Sequence, residues 1–116
     1  MDKYIPFVTR QKCCKISLEE VLYIEQIGRE VMIVTEKTTY RQYGKITQLQ
    51  QYLDESFFNC LKTMIINFSN VVSMQDQTVK FKDGTEIFLG RQNFVRTKQT
   101  FAVFIKKACN SNGFVV

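Results

Sequence analysis

Two apolar anchors bracket a short polar insert between residues 57 and 72, and this arrangement limits the fold more than any other stretch. Phe57 and Phe58 precede the insert, Met64, Ile65 and Ile66 follow it, and Lys62 and Thr63 lie between. A core can hold both apolar ends while the middle projects into solvent, which is how a rigid scaffold carries a working loop. A cation on a short loop with a fixed base suits a polyanionic partner.

The chain before this stretch reads as strands and turns. Phe7-Val8-Thr9-Arg10 alternates as a half-buried strand would and continues through residues 12–16. Ser17 and Glu20 have the spacing of a capping box, so a single turn is expected there, with the Ser oxygen and the Glu carboxylate satisfying free amides. Residues 21–25 read as a buried strand. Gly28 allows the chain to reverse within residues 27–30, and the β-branched runs 31–35 and 38–41 flank Glu36-Lys37 as a hairpin. Ile46, Leu49 and Leu53 then recur at helical spacing over residues 45–53, an apolar stripe that lids an open sheet and is more often core than a partner groove.

Beyond the insert, residues 71–74, 78–81 and 86–89 read as three strands. A two-residue Asp83-Gly84 loop would set Lys80 opposite Ile87, a poor match. A three-residue loop of Lys82, Asp83 and left-handed Gly84 pairs Val79 with Ile87 and Lys80 with Glu86, and is preferred. Phe94, Phe101, Ile105 and Ala108, with Val95 and Ala102 beside them, predict a helix over about 92–107 packed by that side, with Arg91 carried on the preceding strand end. Arg96, Lys98, Lys106 and Lys107 are available for phosphate contacts. The tail, residues 110–116, either packs on the sheet or frays.

Taken in order, these segments resemble the LytTR family of bacterial DNA-binding output domains. The opening unit is similar to its sequence of an Ile, a polar turn, an aliphatic pair, Tyr and Glu, here Ile16, residues 17–20, Val21-Leu22, Tyr23 and Glu25. In the central motif Phe57 or Phe58 takes the aromatic place, Lys62-Thr63 the basic-plus-hydroxyl place, Ile65-Ile66 the aliphatic places and Asn67 the Asn. Asn59 stands where the family usually has Arg, and Leu61 where it usually has His. Gly90-Arg91 looks like the Ser-Arg or Val-Arg step before the last helix. The resemblance covers roughly residues 7–107 and rests on the order of its motifs.

Such membership implies a mainly β, multi-sheet antiparallel fold with one short central helix and a C-terminal helix. One domain is expected over 1–116, its core about 7–107 and its tail 108–116. It also implies that loops set into successive major grooves read DNA, without a recognition helix. The DNA-binding residues expected on that basis are Arg91, Lys62, Arg29, Thr63, Asn59, Gln92 and Glu30. Arg91 leads, because a planar guanidinium can bond guanine O6 and N7 in parallel or clamp a phosphate, whereas Lys62 acts as a movable point charge. A salt bridge or helix-start charge is the plain alternative for Arg91, and a solvated turn charge for Arg29. The implied partner is double-stranded promoter DNA, with two similar elements and a possible homodimer on them. The family's domain usually follows a phosphorylatable receiver. Only three residues precede Tyr4, and Met1 favours a stand-alone regulator over a piece cut from a longer chain. An interaction module that kept the fold but lost DNA binding is the rival reading, with Leu61 and Asn59 as its motive.

Composition bounds the alternatives. A chain of 116 residues, 45% hydrophobic and 23% charged, has the profile of one globular domain. The net charge of +5 is modest, but no acidic residue follows Glu86 while five cations do, so the C-terminal segment carries one sign. There is no histidine, which removes Ser-His-Asp and Cys-His chemistry and the usual imidazole zinc sites, and no phosphate-cradling glycine loop occurs. No enzyme, cofactor, metal or small-molecule substrate is therefore expected. The N-terminus lacks an apolar signal core and no run is long enough to span a membrane, so a cytoplasmic protein with reduced thiols at Cys13, Cys14, Cys60 and Cys109 is expected.

Overall fold

Among the described residues, ten strands and one α-helix build three antiparallel sheets around two cores. The computed structural model describes residues 3–111, with side chains as far as residue 109. Strands β1 (Tyr4–Val8) and β2 (Cys13–Ser17) form a two-stranded sheet. The central sheet holds β3 (Val21–Ile27), β4 (Glu30–Thr35), β5 (Thr39–Tyr43), β6 (Phe57–Leu61) and β7 (Met64–Asn67), in the order β5-β4-β3-β7-β6. A three-stranded sheet follows from β8 (Val71–Gln75), β9 (Thr78–Phe81) and β10 (Glu86–Phe88), and α1 (Arg91–Ser111) closes the fold.

The central sheet is covered on both faces, which explains why β7 has no polar alternation. All four of its residues are buried: Ile65 faces the core under β1, β2 and the turn after β5, while Met64 and Ile66 face the core under α1 and the three-stranded sheet. Burying each such side chain is worth about 1.5–3 kcal/mol, so this strand anchors both halves. A bulge between Val21 and Tyr23 lets Leu22 and Tyr23 both face the second core. There Phe68 gathers the aromatic rings, with Phe58 at 5.4 Å, Phe101 at 5.3 Å and Phe104 at 5.5 Å between centroids.

Asn67 and Asn70 fasten the second half of the chain to the first. The Asn67 side-chain amide donates to the carbonyls of Leu18 at 3.1 Å and Val21 at 2.9 Å, and its oxygen accepts from the Ser69 amide. Asn70 donates to the carbonyls of Glu19 and Val21. Both residues are buried, so these bonds replace water that the backbone of the 18–21 turn has lost.

The three-residue loop is observed as expected: Val79 pairs with Ile87, Lys80 with Glu86, and Gly84 has φ +94°. Other expectations need correction. Residues 7–16 are not one strand; the chain reverses where Thr9 and Lys12 bond each other, giving β1 and β2. The turn at Leu18–Glu20 is a 3-10 turn, but Ser17 makes no capping bond. The short central helix is also 3-10 (Ile46–Tyr52), where three residues per turn align Ile46 and Leu49 on the core. Arg91 opens α1 instead of ending a strand. The buried side of α1 is Phe94, Thr97 and Phe101, with Phe104 beside them; Val95 and Ile105 are about half exposed, because the helix turns toward Phe68. The tail expectation lies, from residue 112 onward, outside the described residues.

Candidate functional site

The loops of interest meet at one end of the central sheet. Strand β3 runs into the Gly28-Arg29 turn and returns as β4, β6 runs into the Lys62-Thr63 turn and returns as β7, and β3 lies between β4 and β7, antiparallel to both. Glu25 faces Met64 across one pairing and Ile27 faces Glu30 across the other, so both turns project from the same end. Neighbouring strands lie about 4.8 Å apart, which puts the two turn centres about 10 Å apart. Tyr43, the last residue of β5, reaches the same end opposite Glu30.

Gln26 ties these tips together. Its side-chain nitrogen lies 3.0 Å from the Gly28 carbonyl oxygen, 3.2 Å from that of Glu30 and 2.9 Å from that of Gly44, while its side-chain oxygen accepts from the Ile46 amide at 2.7 Å. Its backbone amide donates to the Thr63 carbonyl at 2.8 Å, and the Gly44 amide donates to the Arg29 carbonyl at 3.0 Å. Gly44 has φ +141°, and a Cβ there would stand 2.8 Å from the Gln48 side-chain oxygen, so only glycine fits this corner without strain.

Helix α1 brings Arg91 to the same end. Arg96 Nη2 donates to the carbonyls of Asn59 at 3.2 Å and Cys60 at 2.9 Å, with its guanidinium 5.1 Å from the Phe58 ring centroid. Phe101 and Phe104 lie farther back, against Phe68 beyond the other end of β7. The helix therefore runs antiparallel to β6. Five residues of helix before Arg96 rise about 7.5 Å, and two strand residues beyond Cys60 extend about 6.6 Å, which sets Arg91 level with Lys62. Just ahead of it, the Leu89 amide donates to the Gln77 carbonyl and the Gln77 side chain donates to the Leu89 carbonyl. Gln77 has φ +62° and follows Asp76 at φ +52°, a turn usually given to Gly or Asn.

Of the expected residues, Arg29, Lys62, Thr63, Arg91 and Gln92 are exposed at this end and Glu30 is half-buried beside them. The side chains of Arg29, Lys62 and Arg91 make no ion pair among the described residues. Asn59 is set back within β6, where its side-chain oxygen accepts from Gln50. Arg96, expected as a phosphate contact, instead joins α1 to β6. Sequence reasoning missed Tyr43, Lys45 and Gln26. Tyr43 is 81% exposed, and its place just before Gly44 and Lys45 was the available hint; Gln26 offers no local signal because its partners lie as far away as Ile46.

At the far end of the sheet three lysines are occupied. A cleft of about 780 Å³ at the far end of the sheet is lined by Lys3, Lys15 and Lys82 among others. Lys3 stands 3.6 Å from Asp54, Lys82 stands 3.6 Å from Glu36, and Lys15 lies over the Tyr4 ring. Near the candidate site, burial pushes the Cys60 thiol up to about 11, so it is an inert packing group at neutral pH. Among the described residues no group of three or more His, Cys, Asp or Glu is placed to hold a metal, and no helix is long and apolar enough to cross a membrane.

Residues 11–107 match the family described as the LytTr DNA-binding domain. Among solved structures, the chain is similar to a LytTr DNA-binding domain from a Bacillus cereus protein described as a methyl-accepting/DNA response regulator. The TM-score is 0.70 at 14% identity, covering 88% of this chain and 98% of that one. No curated protein matches.

Proposed function

The chain belongs to the LytTr DNA-binding domain family, whose members are DNA-binding domains and not enzymes, and from that premise we propose that it reads double-stranded promoter DNA sequence-specifically through the tips at one end of its central sheet. The observation that carries this reading is the convergence on one end of the Arg29 turn, the Lys62-Thr63 turn and the start of α1, each joined to its neighbours by hydrogen bonds. The tips enter successive major grooves, where every base pair offers its own pattern of donors and acceptors.

In this reading Arg91 makes paired bonds to guanine O6 and N7, and Gln92 beside it suits adenine N6 and N7. No acidic residue stands in the first turn of α1, so its positive end is uncompensated and favours a phosphate. Lys62 and Thr63 clamp backbone phosphates between the base-reading positions, and Arg29 reads or clamps from the neighbouring turn. Glu30 accepts from a cytosine amino group, and Asn59 steadies the base of the Lys62 turn. Tyr43 and Lys45 contact the flank of the duplex. The domain acts as a transcriptional regulator in the cytoplasm, with two copies occupying two similar elements as a homodimer on DNA.

Selection of bound duplexes from a random pool tests the reading in one step, since it reports binding, motif and repeat spacing. A recovered motif with two spaced repeats, bound less tightly as salt rises, is the expected result. Failure to recover any salt-sensitive site sinks it and favours an interaction module on the same fold.

A further inference from the structure

We propose that Gln26 is a positioning residue for recognition, setting the separation of the Arg29 turn, the Gly44 corner and the Lys62-Thr63 turn without touching DNA itself. The inference rests on the DNA-binding reading above and adds a determinant of its specificity. A carboxamide nitrogen has two hydrogens, yet this one lies within 3.2 Å of three carbonyl oxygens, those of Gly28, Glu30 and Gly44. The carboxamide oxygen takes the Ile46 amide at 2.7 Å, so one side chain engages four backbone groups in two segments, the 28–30 turn and the 44–46 corner. The Gln26 backbone amide bonds Thr63 on the other side. No other side chain among the described residues bonds two of these tips.

Two consequences follow from the chemistry. Without the Gln26 side chain the Gly28, Glu30 and Gly44 carbonyls turn to water. The backbone bonds from Gln26 to Thr63 and from Gly44 to Arg29 remain, so the Arg29 turn stays attached while its place relative to Lys62 is set less tightly. The cations stay, so attraction to any duplex stays. What is lost is the fixed spacing that lets two base-reading groups satisfy one sequence at once, since a misplaced group earns nothing from the correct base. Gln26 thus acts on discrimination and not on overall attraction.

The experiment compares wild type, Gln26→Leu and Gln26→Glu on the selected duplex and on a scrambled duplex of the same length, across a salt series. Gln26→Leu keeps the volume without the amide. Its preference for the selected duplex is expected to fall at least tenfold, while its affinity for the scrambled duplex and the salt slope of that binding match wild type. Gln26→Glu keeps the acceptor for Ile46 but turns a carboxylate on three carbonyls; lowering the pH to protonate it restores one donor, so part of the preference should return. This pH-dependent rescue tests the role even where Gln26→Leu does not fold. Preference unchanged in Gln26→Leu, a parallel loss on both duplexes, or no recovery in Gln26→Glu overturns the positioning role alone. Absence of salt-sensitive binding by wild type overturns the DNA reading itself, and this role with it.

Discussion

The guanidinium of Arg96 donates to the carbonyl oxygen of Cys60 at 2.9 Å, joining the first turns of the C-terminal helix to the edge strand that leads into the Lys62-Thr63 turn. A second bond to the Asn59 carbonyl and the contact with the Phe58 ring make Arg96 a brace between two candidate contact elements. Arg96→Ala is expected to destabilise the fold by roughly 1–2 kcal/mol, the worth of charge-assisted bonds at a partly wet surface. Urea unfolding measures this. Arg96→Lys should fall between the two, since an ammonium keeps the charge and donors but loses the flat guanidinium face against the Phe58 ring. A stability equal to wild type in Arg96→Ala would remove the brace.

Arg91 and Lys62 should behave in the opposite way. Both are exposed and neither makes an ion pair among the described residues, so alanine at either position should leave the thermal midpoint nearly unchanged. Arg91→Ala should cost about 1–3 kcal/mol of affinity and relax the sequence preference at one base pair. Lys62→Ala should weaken binding on all sequences and lower the slope of log affinity against log salt by about 0.9, one phosphate contact. Fluorescence anisotropy over a salt series separates the two behaviours.

Asn67→Ala should be among the most destabilising polar substitutions in the chain, by about 2–4 kcal/mol. It takes one donor from each of the carbonyls of Leu18 and Val21, which keep the Val21 amide and the Asn70 side chain respectively, removes the acceptor of the Ser69 amide, and leaves a cavity at a buried position. Denaturant unfolding checks this, and a loss below about 1 kcal/mol would show that water replaces the side chain.

Cys60 should resist thiol reagents at neutral pH until the protein unfolds, while exposed Cys13 and Cys109 react. Its thiol also contributes to alkaline behaviour. Burial holds the folded group near 11 against an ordinary 9.0, so between those values the native state binds more protons than the unfolded one. Stability from this group is whole below pH 9 and is lost as pH rises toward 11. Tyr23 acts in the same direction, raised by burial and by the charges of Glu25 and Asp83. A Cys60→Ala variant titrated over that range should show a shallower decline.

Much of the fold was legible because its signals are local. The hairpin after Phe81 could be assigned its register from residues within a few positions of Gly84, since a shift by one would have reversed every side chain. The Lys62-Thr63 turn followed from its apolar flanks. The reversal at residues 9–12 was missed because no Gly or Pro marks it; Thr9 and Lys12 close the turn through bonds that any polar pair might offer. The buried side of α1 was misjudged by one position because periodicity allows either Phe104 or Ile105 inward, and the choice belongs to Phe68, more than thirty residues away.

What the sequence determined by itself is therefore most of the strands after residue 20, the polar turns between apolar anchors and the family pattern in their order. Those depend on alternation and turn chemistry, which act between near neighbours. Only the tertiary structure decided that Arg96 braces and Arg91 stays free, that Gln26 gathers three loops, and that Asn67 holds a distant turn. A buried or bridging polar group must find partners wherever folding delivers them, and which carbonyl arrives beside it is a property of the packed chain and not of its neighbours in sequence.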